Sequence, residues 1–322
     1  MPPLGSLILG FDGPSLPDEI ARLLADGMGG VALFARNLVD RQQVRDLCSQ
    51  VRSAARGWPT PIISIDQEGG RVQRLRRLSP LHPAAGQLAA EGLDSCREAG
   101  RSIGLDLADL GINLDFAPVL DVDTNPANPI IGDRAFGRDP SMAAAGAVAF
   151  LKGLQSTGVA GCGKHFPGHG DASADSHLEL PVIHVDADTI GVREELPFVA
   201  AIRAGIPAIM TAHCLYPAID SVLPATLSYA IVQGRLRERL GFSGCVITDD
   251  LGMKAIADGF QPSDVLDLGL LAGVDMFLHC GGKGEWMGLV EALLRGQRDK
   301  TLPQGRIDEA LARAARLRTS LS

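Results

Sequence analysis

The sequence predicts an α/β fold, a single (β/α)8 or TIM barrel, and three observations lead to it. Eight short apolar, β-branched runs alternate with longer stretches of helical periodicity. The short runs are apolar throughout rather than at every second residue, as expected for parallel strands covered on both faces. Eight repeats favour a closed barrel over an open doubly wound sheet. No GxGxxG follows the first strand, which further disfavours a dinucleotide-binding fold.

The predicted elements cover nearly the whole chain. The strands are predicted at residues 6–11, 30–34, 61–66, 112–118, 159–165, 208–212, 245–249 and 276–279. The helices are predicted at residues 16–27, 40–55, 84–110, 141–156, 189–204, 228–240, 262–271, 285–294 and 304–317. We expect Ser15 to cap the first helix and Gly27 to end it. No linker rich in Pro, Gly or Ser interrupts the chain, so we expect one catalytic domain over residues 1–322.

The composition argues against some classes of binding partner and indicates a cellular location. A net charge of -8 repels phosphate backbones, so we expect no nucleic-acid partner. No run approaches the roughly 20 apolar residues of a membrane span, and the N-terminal apolar stretch is too short for a signal peptide. The six cysteines form no CxxC pair, which favours free thiols in a reducing compartment. We therefore expect a cytoplasmic protein without membrane contact, and a monomer.

Polar, reactive residues follow five neighbouring strands at the points where these strands end. In such barrels the carboxyl ends of the strands form the mouth that carries the active site. The segments are Ser-Ile-Asp-Gln-Glu-Gly-Gly-Arg at 64–71, Asp-Val-Asp at 121–123, Lys-His-Phe-Pro-Gly-His-Gly at 164–170, Thr-Ala-His at 211–213 and Thr-Asp-Asp at 248–250. Charged groups gathered in one mouth cost stability, so we interpret them as the active site of an enzyme.

A histidine and an aspartate lie two positions apart beyond the 164–170 segment. In an extended segment, Asp175 and His177 point to the same side. The Asp175 carboxylate could then hold one ring nitrogen of His177 and leave the other free to exchange a proton, as in a catalytic triad. The alternative is a loop aspartate that caps its own backbone beside an exposed histidine. The neighbouring KHFPGHG segment makes that alternative the weaker one.

The paired aspartates Asp249 and Asp250 end an apolar strand. One of them could point into the mouth as a nucleophile or ligand, while the other binds backbone amides or an arginine. The alternative, that both cap the following helix, is equally compatible with these residues alone.

Further charged residues suit a sugar ligand. Asp66 and Arg74 flank a Gly-Gly turn, and Arg134 lies in a Gly-Asp-Arg segment. Carboxylates accept hydrogen bonds from sugar hydroxyls, and Arg or Lys donates to ring oxygens or to an acidic substituent. The alternative is a set of surface ion pairs, which contribute little to stability.

Five blocks carry a resemblance to a known family. The blocks are IDQEGGRVQR from residue 65, IGDRAFGRDP from 131, KHFPGHGDASADSH from 164, MTAHCLYPAID from 210 and VITDDLGM from 246. In this order they resemble glycoside hydrolase family 3 and, within it, the β-N-acetylglucosaminidases of the NagZ type. The resemblance implies retaining removal of terminal β-linked N-acetylglucosamine, with no cofactor and no metal. Short forms without a second domain resemble the cytosolic enzymes of cell-wall recycling, whose substrates are N-acetylglucosaminyl-1,6-anhydro-muropeptides.

The resemblance also implies roles for individual residues. Asp249 would attack the anomeric carbon and form a glycosyl-enzyme, and His177, paired with Asp175, would act as general acid and then as base. Most glycosidases use two carboxylates for these steps, but a near-neutral pKa suits a group that performs both. The residues that would contact the sugar are Asp66, Arg74, Arg134, Lys164 and His165. The chain departs from many relatives at Gly252, a position beyond the reacting atoms.

Other functions remain open from the sequence. A β-glucosidase or β-xylosidase of the same family generally takes its acid/base from elsewhere, so the Asp-Ser-His segment argues against it. A phosphorylase is compatible, because a histidine repels an incoming phosphate less than a carboxylate does. A metal-dependent hydrolase could use His165 and His169 with His177, Asp249 and a lysine, although a Pro-Gly pair separates the first two histidines. A non-catalytic sugar-binding barrel would leave the filled catalytic positions unexplained.

Overall fold

The computed structural model describes residues 2–172, 180–282 and 284–321 and contains an eight-stranded parallel sheet. The strands of the described chain are β1 Leu7–Gly10, β2 Gly30–Leu33, β3 Ile62–Ile65, β4 Gln67–Gly69, β5 Val72–Gln73, β6 Leu114–Asp115, β7 Ala160–Phe166, β8 Ala208–Thr211, β9 Cys245–Thr248 and β10 Phe277–His279. The sheet order is β10-β1-β2-β3-β6-β7-β8-β9, while β4 and β5 form a separate antiparallel hairpin. A parallel bridge between Ile247 and Met276 joins the two ends of the sheet. The predicted (β/α)8 barrel is therefore confirmed.

Helices follow the strands and cover the outside of the barrel. The helices of the described chain are α1 Asp18–Ala25, α2 Arg41–Ala54, α3 Ala85–Glu91, α4 Leu93–Leu110, α5 Pro140–Gln155, α6 Ala187–Thr189, α7 Leu196–Arg203, α8 Lys254–Ala257, α9 Pro262–Ala272, α10 Met287–Asp299 and α11 Gln304–Ser320. Two π-helical segments are Ile190–Glu194 and Ala230–Arg239. Short 3₁₀ turns are Pro3–Ser6, Ala35–Asn37, Gly132–Arg134 and Ala225–Leu227. Within the described ranges, no helix combines the length and hydrophobicity needed to cross a bilayer.

Three predicted boundaries were wrong, each for a local reason. The first helix has Pro17 rather than Ser15 at its N-cap, because a residue that precedes proline is pushed out of the helical region. The helix predicted at 84–110 is two helices, since Gly92 has a φ of 126° that breaks the helical path. The strand predicted at 112–118 keeps only two residues in its ladder, and Pro118 has no N–H with which to extend it.

Two apolar layers explain why the strands read as continuous apolar runs. Consecutive residues of a strand point to opposite faces of the sheet. Ile62 lies in the cluster that fills the barrel interior, and its neighbour Ile63 lies in the cluster between sheet and helices. The interior cluster also holds Ile8, Ala32, Leu114, Phe116, Cys162, Met210, Ile247 and Leu278. The barrel interior is thus a packed core rather than a channel.

A buried acid at the end of β6 predicts a pH-dependent stability. Asp115 Oδ1 accepts a hydrogen bond from the Gln67 amide at 2.9 Å, while its Oδ2 is buried without a partner among the described residues. Burial raises the pKa of Asp115 from 3.8 to about 8. Between these values the folded protein holds a proton that the unfolded chain releases, so this group's contribution to stability declines as pH rises through that window.

Asp115→Asn should therefore gain stability relative to the wild type as pH rises from 5 to 7. Asparagine keeps the acceptor for Gln67 and cannot ionise, so the difference in unfolding free energy should grow by about 1 kcal/mol per pH unit. Urea unfolding at pH 5, 6 and 7 measures it. The exposed residue Asp258 provides the control, because Asp258→Asn should give a flat difference. A flat difference for Asp115→Asn as well would show that its carboxyl is ionised in the folded protein.

Candidate active site

A cavity of about 200 Å³ opens at the carboxyl ends of the barrel strands. Its base is apolar, because Phe116, Met210 and Leu278 belong to the barrel interior. Its polar wall consists of Asp66, Glu68, Arg74, Arg134, Lys164, His165, His169, Asp249 and Asp250. An apolar base with a few convergent polar groups is typical of a small-molecule site. All six predicted site residues that fall within the described ranges line this cavity.

The hairpin of β4 and β5 brings Arg74 back to Asp66. Gly69, the last residue of β4, and Gly70, the first of the turn, have φ values of 103° and 56°, a conformation that glycine adopts without steric cost. The chain reverses there, so that Arg74 Nη2 lies 3.1 Å from Asp66 Oδ2. Both members are partly exposed and line the cavity wall, which agrees better with ligand contact than with a surface ion pair.

Lys164 is the buried centre of the charged cluster. Its Nζ lies 2.7 Å from Asp66 Oδ1 and 2.6 Å from Glu68 Oε1, and its side chain is 3% exposed. Burial would lower the pKa of Lys164, but the two carboxylates hold it well above its usual range. For Asp66 the directions are reversed: burial alone would raise its pKa, but Lys164 and Arg74 hold it well below its usual range. Both groups are therefore ionised, and each Asp66 oxygen keeps a lone pair for a ligand hydroxyl.

Arg134 reaches the cavity from the short turn Gly132–Arg134. Its Nε and Nη2 each donate to one oxygen of Glu68, both at 2.8 Å, and its Nη1 donates to Ile130 O at 3.2 Å. Glu68 was not among the predicted site residues. Its position two residues after Asp66 was the available signal, since residues i and i+2 of an extended segment share a side.

His165 is held by a buried acid, Asp121, for which the sequence predicted no specific role. Asp121 Oδ2 lies 2.7 Å from His165 Nδ1, and Asp121 Oδ1 accepts from the amides of His165 and His169. Burial would raise the pKa of Asp121, but the two histidines and the amides hold it below its ordinary value. Because Asp121 is thus a carboxylate, Nδ1 of His165 donates to it. Nε2 is then left to interact with a ligand in the cavity.

The glycines of the KHFPGHG segment allow the backbone to pack closely. A Cβ on Gly170 would lie 1.7 Å from Val122 O, so no larger residue fits there. Asn128 Nδ2 donates to the carbonyls of His169 and Gly170, both at 2.9 Å. The chain then enters residues 173–179, which lie outside the described part of the structure. The predicted residues Asp175 and His177 fall in that segment, so their roles stay predictions.

Asp249 follows β9 directly and faces the cavity. Its Oδ1 accepts from the Asp250 amide at 2.8 Å, and it forms no ion pair with a described residue. Burial would raise the pKa of Asp249, but His165, His213 and the Asp250 amide hold it below its ordinary value. The carboxylate is thus ionised at neutral pH, and no described residue forms a salt bridge with it.

Asp250 has a different role from its neighbour. Its Oδ1 accepts from the amides of Gly252 at 2.9 Å and Cys280 at 2.8 Å, which ties the end of β9 to the end of β10. Helix α8 begins later, with Met253 at its N-cap, so neither aspartate caps it. Of the two interpretations left open for this pair, the structure favours one acid in the mouth and one on backbone amides.

His213, at the end of β8, supports the same turn. Its Nε2 lies 3.1 Å from Asp250 O and its Nδ1 lies 2.7 Å from Thr226 Oγ1. Burial lowers the pKa of His213, so the ring is neutral at pH 7. It then donates through Nε2 to Asp250 O and accepts from Thr226 at Nδ1. Within the described ranges, no group of three or more His, Cys, Asp or Glu residues is arranged to hold a metal ion.

Comparison with known proteins agrees with this geometry. The profile described as "Glycosyl hydrolase family 3 N terminal domain" matches residues 14–317. The chain belongs to glycosyl hydrolase family 3. Two curated relatives are a beta-hexosaminidase of Methylococcus capsulatus and Beta-hexosaminidase A of Pseudoalteromonas piscicida. The first is 40% identical over 286 residues, covering 87% of this chain and 84% of the relative. The second is 35% identical over 340 residues, covering 95% of this chain and 56% of the relative.

A solved family 3 structure shares the whole fold. The β-N-acetylglucosaminidase of Paenibacillus sp. str. FPU-7 matches with a TM-score of 0.95 and 35% identity, over 99% of this chain and 62% of that one. The chain therefore spans less than two thirds of this protein and of the Pseudoalteromonas relative. The family predicted from the five sequence blocks is confirmed, and the relatives' names agree with the predicted activity.

Proposed function

We propose that the protein is a retaining exo-β-N-acetylglucosaminidase that removes terminal, non-reducing β-linked N-acetylglucosamine. The observation that carries the proposal is the placement of Asp249 opposite the charged cluster. In the sheet order, three strands separate β9 from β3 in either direction, so Asp249 and Asp66 face each other across the mouth. A sugar between them has its hydroxyls at the ionic cluster and its anomeric carbon at Asp249, a carboxylate that has no ion-pair partner among the described residues. The names of the relatives support the same activity.

In the first step of the proposed reaction, Asp249 is the nucleophile. Its carboxylate attacks the anomeric carbon, the bond to the leaving oxygen breaks, and a glycosyl-enzyme forms through a transition state with oxocarbenium character. An ionised carboxylate without a salt-bridge partner among the described residues is suited to this, because it stabilises the developing positive charge. Water then releases the sugar with its original anomeric configuration.

The remaining roles in the proposed reaction, sugar binding and proton transfer, belong to the charged cluster and to the acid/base pair. Asp66 accepts from ring hydroxyls, and the contacts to the remaining hydroxyls and the N-acetyl region come from Arg74, Arg134, Lys164 and His165. Proton transfer to the leaving oxygen and from water is assigned to His177 with Asp175. This assignment rests on the family resemblance of the segment alone. Muropeptides as substrates, a single domain over residues 1–322, a monomeric state and a cytoplasmic location likewise stay predictions.

One assay tests the proposal against its nearest alternatives. The purified protein is incubated with 4-nitrophenyl N-acetyl-β-glucosaminide and with the corresponding β-glucoside, each with and without inorganic phosphate, and the sugar product is identified. We expect free N-acetylglucosamine of β configuration at first release, with little turnover of the glucoside. A sugar 1-phosphate would make the protein a phosphorylase. Preference for the glucoside would overturn the substrate while leaving the nucleophile in place.

A further inference from the structure

We infer that Glu68 is a positioning residue of the sugar site, which orients Arg134 and Lys164 and balances their charge so that the cavity takes a neutral sugar rather than an anion. The inference deepens the proposed function, on which it depends only for the neutral sugar as the occupant. Glu68 was not singled out by the sequence blocks, and it does not take part in the proposed chemistry.

Both oxygens of Glu68 are committed to the protein. Oε1 lies 2.8 Å from Arg134 Nη2 and 2.6 Å from Lys164 Nζ, and Oε2 lies 2.8 Å from Arg134 Nε. Two parallel N–H donors to one carboxylate fix the plane of a guanidinium as well as its position. The Glu68 side chain is 6% exposed, so water does not compete for these contacts. Glu68 therefore sets where Arg134 and Lys164 point before any ligand arrives.

Arg134 and Lys164, which both line the cavity, have further hydrogen-bond donors that Glu68 does not use. Arg134 also gives an Nη1 hydrogen to Ile130 O, so one N–H on each terminal nitrogen has no acceptor among the described residues and can serve a ligand. Lys164 gives one hydrogen to Asp66 and one to Glu68, so its third has no acceptor in the described part of the chain. With its own oxygens occupied, Glu68 acts on a sugar through these residual donors.

The charge of Glu68 also decides the balance of the wall. Three cations, Arg74, Arg134 and Lys164, stand beside the two carboxylates Asp66 and Glu68. Burial alone would raise the pKa of Glu68, but Arg134 and Lys164 lower it to about 2, so it is ionised at neutral pH. Without its charge, Asp66 would be the one described carboxylate paired with these three cations, and Asp249 would lie across the mouth from them. Such a wall attracts phosphate or a carboxylated sugar.

Two substitutions separate geometry from charge. Glu68→Gln keeps the length of the side chain and removes its charge, whereas Glu68→Asp keeps the charge and withdraws it by one methylene. Both should raise KM for 4-nitrophenyl N-acetyl-β-glucosaminide about tenfold with a smaller change in kcat, because charge-assisted bonds to the ground state weaken. Only Glu68→Gln should bind inorganic phosphate more tightly, with at least a fivefold lower Kd by calorimetry. The control Glu291→Gln, on an exposed face of α10, should match the wild type in both.

Each outcome bears on the inference. Unchanged KM in both variants, or unchanged phosphate affinity in Glu68→Gln, would overturn it even if the melting temperature falls, since that pattern marks a purely structural residue. If Glu68→Gln does not fold, tenfold higher KM with unchanged phosphate affinity in Glu68→Asp supports the inference, and an unchanged KM overturns it. A wild-type protein without glycosidase activity would count against the proposed function instead. The phosphate titrations would then still test the charge balance.

Discussion

Asp249→Asn should lower kcat on 4-nitrophenyl N-acetyl-β-glucosaminide by about four orders of magnitude or more, because the amide cannot form the glycosyl-enzyme. The substitution conserves the volume of the side chain and breaks no ion pair with a described residue, so we expect the melting temperature to change little. The matched control is Asp258→Asn, an exposed aspartate nine positions further along the chain, which should retain full activity.

Added azide should distinguish a missing nucleophile from a damaged cavity. In Asp249→Ala the vacated space lies beside the anomeric carbon, and a small anion can attack there while the aryl group leaves. The product expected is the α-glycosyl azide, of inverted configuration, identified by NMR. Near-normal kcat in the asparagine variant, or a β-configured azide product, would refute the assignment of Asp249.

His177→Ala should slow substrates with poor leaving groups by about 10²- to 10⁴-fold, and activated aryl glycosides much less. The physical reason is that an alkoxide needs a proton to leave, whereas 4-nitrophenolate does not. Comparing kcat/KM for chitobiose with that for the aryl glycoside measures the effect. The control is His184→Ala, an exposed histidine a few residues beyond the same segment. Equal losses on both substrates would remove His177 from the role of acid.

The barrel could be predicted from the apolar runs because the burial of each strand determines the residue types of that strand itself. A strand buried on both faces must be apolar at every position, and the paired clusters around Ile62 and Ile63 are the direct cause of that pattern. The boundary errors arose where a single backbone residue overrode the pattern. Helix α1 begins later than predicted because of Pro17, and Gly92 divides a predicted helix into two.

The site was predictable only in part, because some of its contacts are set by the tertiary fold. Asp249, Asp66 and Lys164 could be expected in the mouth since each stands at a strand end. The roles of Glu68 and Asp121 depend on partners 66 and 44 positions away, Arg134 and His165, which no local pattern specifies. The division of labour between the paired aspartates likewise required the position of the Cys280 amide.

The β4–β5 hairpin has a consequence for exchanging parts between related enzymes. Asp66, Glu68 and Arg74 all lie within residues 66–74, so this one segment delivers two of the acids and one of the cations of the cavity wall. The complementary cations Arg134 and Lys164 come from distant parts of the chain. A chimaera whose crossovers leave 66–74 intact inherits a matched half of the charge pattern as one module. A crossover between Gly69 and Gly70 would instead separate Asp66 from Arg74, which folds back onto it.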